Sequence, residues 1–264
     1  MAKRIRIFGL LLVLCTQPIA AAQRPTLAVL PFGVAKNRSR LRWLGLATAS
    51  SLTEKLRHVP SVRVLPLDDL VRELKGAGVE PEGVAWAPAI TTKPLGRWLG
   101  ATHLVVGALG ASKDRKMAEP FLEVSNSLPK KKDVEIWLAA RFVDTASGET
   151  LGRAYVEGQI SDIFDLQNRL LIRLGDALGL MPDELTLDAV QRLPTDALSA
   201  YKRASEAERL LLEVRDIKEE KRRKRTIKRA MKALKKALKT DPRYATAHAW
   251  QGVLFVLQHM PDEA

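Results

Sequence analysis

The chain has 264 residues, a formal charge of +13 and 46% hydrophobic residues. That length holds one good-sized domain and a smaller one, and that apolar content excludes wholesale disorder. The charge is unevenly placed: residues 201–243 hold 17 Lys/Arg against 7 Asp/Glu, a local +10, so the rest of the chain is close to balanced.

Residues 1–22 have the three zones of a secretory signal peptide. Lys3, Arg4 and Arg6 come first, then the apolar run IFGLLLVLC over 7–15, then Ala20, Ala21 and Ala22 ahead of Gln23. A retained anchor is the alternative, but the apolar run is less than half of the roughly 20 residues that a spanning helix needs. Cys15 is the one cysteine, and the bulky Leu14 before it makes a lipidated cysteine the lesser reading. Cleavage after Ala22 removes Cys15 and with it disulfides and thiol chemistry. The expected address is the bacterial periplasm or the outer-membrane periphery.

Residues 26–32 (TLAVLPF) form a short β-branched, apolar run closed by Pro31, which predicts a buried first strand. Leu41, Leu44, Leu52 and Leu56 make one stripe of a helix over 40–58. Residues 62–67 read as a second strand. Asp68 and Asp69 open a short helix over 70–75. Residues 76–90, rich in Gly, Pro and Ala, read as a surface loop. A short helix over 92–100 and a third strand over 102–109 follow. Residues 113–133 are polar and aperiodic, and read as a long mobile hairpin connection. Strands over 134–144 and 150–160 flank the turn composition DTASG, which predicts an antiparallel hairpin. Ser161 and Asp162 then cap a helix over 163–178 whose apolar face is Ile163, Leu166, Leu170 and Leu174.

From residue 197 the pattern is purely helical, with helices over 197–214, 222–239 and 244–258. The fold class expected is α/β, a mixed-sheet sandwich of about five strands and three to four helices, followed by a C-terminal all-α segment. The expected organisation is a signal peptide (1–22), an α/β domain (23–180), a linker (181–196) and an incomplete helical array (197–264).

Two resemblances are carried by particular residues. Leu27, Ala28, Val29, Leu30, Pro31 and Phe32 match an opening "AVLPF"; residues 99–107 (LGATHLVVG) match a strand entry "LGVRYVLEGSV"; and residues 143–149 (VDTASGE) match a hairpin "IDAATGE". In this order they resemble the TolB N-terminal-like domain, an α/β unit related to FlgO and CsgG-type envelope proteins. Basic residues 36–42 replace that family's "NLSGD" stretch.

Ala230, Leu234, Ala237 and Pro242 sit where the second helix of a tetratricopeptide (TPR) repeat has small, large, small and Pro; Gly252 and Phe255 sit where the next first helix has Gly and an aromatic. This part resembles a TPR array that stops at Ala264. Both resemblances imply an envelope scaffold rather than an enzyme.

No phosphate-cradling loop, nucleophile elbow or HExxH pattern occurs, and His58, His103, His248 and His259 lack metal-ligand spacing. No catalytic residue, cofactor or metal is assigned. The candidate partner-binding residues are the run Lys221, Arg222, Arg223, Lys224 and Arg225, with Lys228, Arg229, Lys232 and Trp250. Such a face attracts an acidic protein partner or an anionic envelope surface. Nucleic acid is disfavoured by address and by the lack of interleaved aromatics. The function expected is an exported, non-catalytic envelope adaptor acting through TPR-like helices. The alternative is an oligomeric assembly or secretion-associated subunit, in which copies of the chain join.

Overall fold

The computed structural model describes residues 24–37, 40–122, 134–177, 179 and 193–259. The expected signal peptide over 1–22 with Cys15, the connection over 123–133, most of the expected linker and Ala264 lie outside the described residues.

Six strands form one mixed sheet: β1 (Thr26–Val29), β2 (Gly33–Val34), β3 (Arg63–Val64), β4 (His103–Ala111), β5 (Ile136–Asp144) and β6 (Thr150–Gly158). Their order is β3-β1-β4-β5-β6, with β2 alongside the far end of β4. β1 runs parallel to β3 and β4, while β4, β5 and β6 are antiparallel. The hairpin turn forms as its composition predicts: the Ser147 amide and hydroxyl donate to Asp144 Oδ1 at 2.6 and 2.9 Å, and Gly148 takes φ 79°.

The opening run is interrupted after Val29. Leu30 still donates to the Val105 carbonyl at 3.0 Å, but Pro31 has no N–H to give, and Phe32 turns inward. Its amide donates to the Gly45 carbonyl at 3.2 Å, and a Cβ on Gly107 would lie 2.3 Å from its ring. The backbone closes on Phe32 from both sides, which explains why a fully buried aromatic follows the proline.

Helices cover both faces. α1 (Arg42–Arg57) and α4 (Ile163–Ala177) pack on one, against Leu27, Val29, Val105, Leu138 and Phe142. The other face, with Ala28, Leu104, Val106, Trp137 and Val143, is covered by Leu70 and Leu74 of α2 (Leu67–Gly76), with α3 (Lys93–Trp98) at its end. In α4 the expected stripe Ile163, Leu166, Leu170 and Leu174 is fully buried.

Three expectations are corrected. The second strand is only Arg63–Val64, because Pro66 is extended and α2 begins at once at Leu67. Residues 76–90 are not simply a surface loop: a 3-10 run, Pro81–Trp86, inserts Val84 and Ala85 into the second core. The first part of 113–133 is likewise no free connection. The 3-10 run Ser112–Phe121 buries Asp114, Ala118 and Phe121, ties Asp114 to Lys36 at 3.3 Å and ties Arg115 to Glu157 at 2.6 Å. Such runs leave no helical period in the sequence because single apolar residues anchor them.

One edge of the sheet is short and the other is partly covered. β3 has two residues, and at β6 the carbonyls of Tyr155 and Glu157 accept hydrogen bonds from Arg173 and Arg169 of α4.

Three further helices, α5 (Leu198–Val214), α6 (Glu220–Thr240) and α7 (Ala245–His259), stack on the α1/α4 side. The hydrophobic core runs without a break from the sheet through α1 and α4 into these helices.

Candidate anion-binding clefts on the helical layer

Tyr201 fixes the helical layer to the base. Its hydroxyl donates to the Ala47 carbonyl at 2.8 Å and receives a hydrogen bond from Gln167 Nε2 at 3.1 Å. Its ring meets Trp43 edge-on at 5.9 Å and Phe164 at 4.9 Å. The same Gln167 nitrogen also donates to Thr48 Oγ1 at 3.2 Å, so α1, α4 and α5 share one buried polar knot. One turn pair further along α5, Glu208 accepts from Ser50 of α1 at 2.9 Å; burial raises its carboxyl to about 7, with the Ser50 hydrogen bond opposing.

Of the repeat-like positions, Ala230, Leu234 and Ala237 are fully buried where α6 meets its neighbours, and their small-large-small pattern lets the helices approach. Pro242 follows the end of α6, and its carbonyl is hydrogen-bonded to His248 Nε2 at 2.9 Å. At the next two positions, Gly252 has open space where a Cβ would stand, and Phe255 is 58% exposed on the outer face of α7. Trp250 is half-buried against the core. Among the other singled-out side chains, His103 is half-buried and stacks on Phe142 at 4.8 Å; burial lowers its pKa against the pull of Asp144. Among the described residues no group of His, Cys, Asp and Glu is arranged to hold a metal ion.

Five basic residues of α6 line two clefts, with Arg229 shared by both. The first, about 610 Å³, opens at the α5–α6 joint. Its cations Lys218, Arg222, Arg225 and Arg229 face the acids Glu213, Asp216 and Glu219, so it is nearly neutral. Much of the run 221–225 is also paired locally: Glu220 reaches Arg223 at 3.5 Å and Lys224 at 2.5 Å. The sequence therefore overstates the positive potential of Lys221, Arg222, Arg223, Lys224 and Arg225, because Glu213 arrives from the preceding helix and Asp216 from the joint.

The second cleft, about 640 Å³, lies where α5 and α6 meet the entry to α1. Arg40 and Arg42 come from that entry, Lys202, Arg203 and Arg209 from α5, and Arg229, Lys232 and Lys236 from α6, against one acid, Glu206. Arg209 pairs along its own helix with Glu213, and Arg42 and Arg209 also face the half-buried Glu82. Lys202 lies over the Trp43 ring, 6.0 Å from its centroid, and Trp43 is almost fully buried, so the floor is rigid. Among the described residues no carboxylate lies within ion-pair distance of Arg203, Arg229, Lys232 or Lys236. Sequence reasoning named Arg229 and Lys232 but missed Arg40, Arg42, Lys202 and Arg203. The signal available was the basic stretch 36–42 and the pair Lys202 and Arg203 in the second turn of α5.

No helix among the described residues is long and apolar enough to cross a membrane. No family model and no curated protein sequence matches the chain. Among solved structures it is similar to lipoprotein GNA1162 from Neisseria meningitidis, with a TM-score of 0.33 and 17% identity, over 50% of this chain and 81% of that one.

Proposed function

We propose that the chain is an exported cell-envelope adaptor without catalytic activity, in which a TolB-like α/β base carries TPR-like helices that hold an acidic protein partner. The observation that carries this reading is the continuous core: the helices stand on the base through Tyr201, Gln167 and Glu208 and turn the charged face of α6 outward. A rigid base with a protruding charged helix pair is suited to presenting a surface rather than enclosing a substrate. The leader-like residues 1–22 support export.

The test is affinity capture from envelope extract with the full chain and with a Lys221→Glu, Lys224→Glu, Lys228→Glu variant. These three side chains are exposed, so the variant keeps the core intact. Loss of one defined partner with the variant supports the adaptor; identical capture by both moves recognition away from α6. A second reading, an oligomeric assembly subunit, draws on the outer face of α7, where Ala245, Ala249, Phe255 and Val256 are exposed together. Sedimentation of the full chain separates the two: a defined large oligomer abolished by Phe255→Ser favours assembly, and a monomer at all concentrations removes it.

A further inference from the structure

The second cleft asks for a ligand of its own. Eight cations and one acid surround about 640 Å³, drawn from three segments that are far apart in the sequence. Folding alone gains nothing from this, since like charges brought together destabilise the compact state. Acids match some cations nearby, Arg223 and Lys224 by Glu220 and Arg215 by Asp68 at 3.5 Å, and within the cleft Arg209 is matched by Glu213, whereas Arg203, Arg229, Lys232 and Lys236 meet no carboxylate among the described residues.

The entry to α1 shows the same local conflict. Its first turn carries Arg42 and no acid, and no side chain caps it, although the positive end of a helix favours anions. Arg229, Lys232 and Lys236 follow one stripe of α6, with the small Ala233 opening room between them, and Lys202, Glu206 and Arg209 follow one stripe of α5.

We infer that this cleft binds clustered phosphate groups, carried by a soluble phosphate ester or by a lipid head group. The cleft is open to solvent, and its volume lies within the range of small-ligand sites. Its apolar lining is limited to Trp43, Leu210 and Ala233, two of them buried, so there is little to seat the apolar side chains of a peptide. Guanidinium forks match phosphate oxygens two at a time, and five of the eight cations are arginines. The site goes beyond the adaptor reading and is independent of whether a protein partner engages α6.

The test is calorimetric titration of the full chain with sodium tripolyphosphate, and with citrate as the carboxylate probe. Tripolyphosphate is expected to bind, with affinity falling as salt is added. An Arg203→Ala, Lys232→Ala variant should weaken it at least about tenfold, and Lys113→Ala, Lys116→Ala, which removes the same charge far away, should change it by less than about twofold. Absence of binding, equal binding of citrate, or equal weakening by the distant pair would each overturn the inference. Glu206→Gln gives a check that does not depend on losing cations: it should tighten binding about threefold, and an unchanged or weaker affinity counts against the site. Vesicles of phosphatidylcholine with cardiolipin serve as competitors. Displacement of tripolyphosphate supports the site and assigns a head group; no displacement, with tripolyphosphate still bound, supports it and assigns a soluble ester.

Discussion

Arg229 lines both clefts, yet the two differ in every electrostatic respect. At the α5–α6 joint, Glu213, Asp216 and Glu219 face four cations; one turn further along α6, Glu206 faces eight. The difference lies in what the neighbouring segments bring, not in α6. A run of basic residues in sequence reports charge per length, whereas a ligand meets charge per volume, and packing sets the volume. The first cleft belongs to the helix pair alone. The second exists only because the pair is fixed to the base.

The largest way to break this contrast is therefore to cut the fixing point. Tyr201→Ala removes a fully buried ring and two hydrogen bonds, and should cost about 3–5 kcal/mol in chemical denaturation. Phosphate affinity should fall with it while the joint cleft keeps its shape; a loss below about 1 kcal/mol would show that the seam is held elsewhere.

Next comes Glu208, the buried acid of the same seam. Its folded pKa, raised by burial from 4.5 to about 7, means that the carboxylate is tolerated at a cost once ionised. Stability from this group is complete below 4.5 and is lost as pH rises through about 7. Glu208→Gln should thus stabilise the protein by about 2–3 kcal/mol above that window and by nothing below it. A gain that does not vary with pH would assign the effect to packing.

The contrast can also be sharpened by converting one cleft into the other. Glu213→Gln, Asp216→Asn and Glu219→Gln together leave the joint with cations only. This triple variant should gain a second tripolyphosphate site, seen as a rise in stoichiometry, with affinity within about tenfold of the first. Unchanged stoichiometry would show that cations without the rigid Trp43 floor do not make a site. The smallest effect is Glu220→Gln. The pairs with Arg223 and Lys224 are partly exposed, so stability should fall by only about 0.2–1 kcal/mol.

Much of the fold was legible in the sequence, and for a physical reason. The stripe Ile163, Leu166, Leu170, Leu174 and the turn around Asp144 are local patterns, and local patterns set helices and hairpins. The 3-10 runs over Pro81–Trp86 and Ser112–Phe121 were not, because one or two anchoring residues such as Val84 and Phe121 carry no period. The candidate site was half legible. Arg229 and Lys232 stood out in a basic run, while Arg40, Arg42, Lys202 and Arg203 became partners of that run only through the Tyr201 knot, which no spacing announces.

Arg169 and Arg173 have a consequence beyond the hairpin they cover. Both hold carbonyls on the outer margin of β6, those of Tyr155 and Glu157, so this end of the strand is already spent on the helix that packs behind it. A strand added there would first have to displace two guanidinium groups.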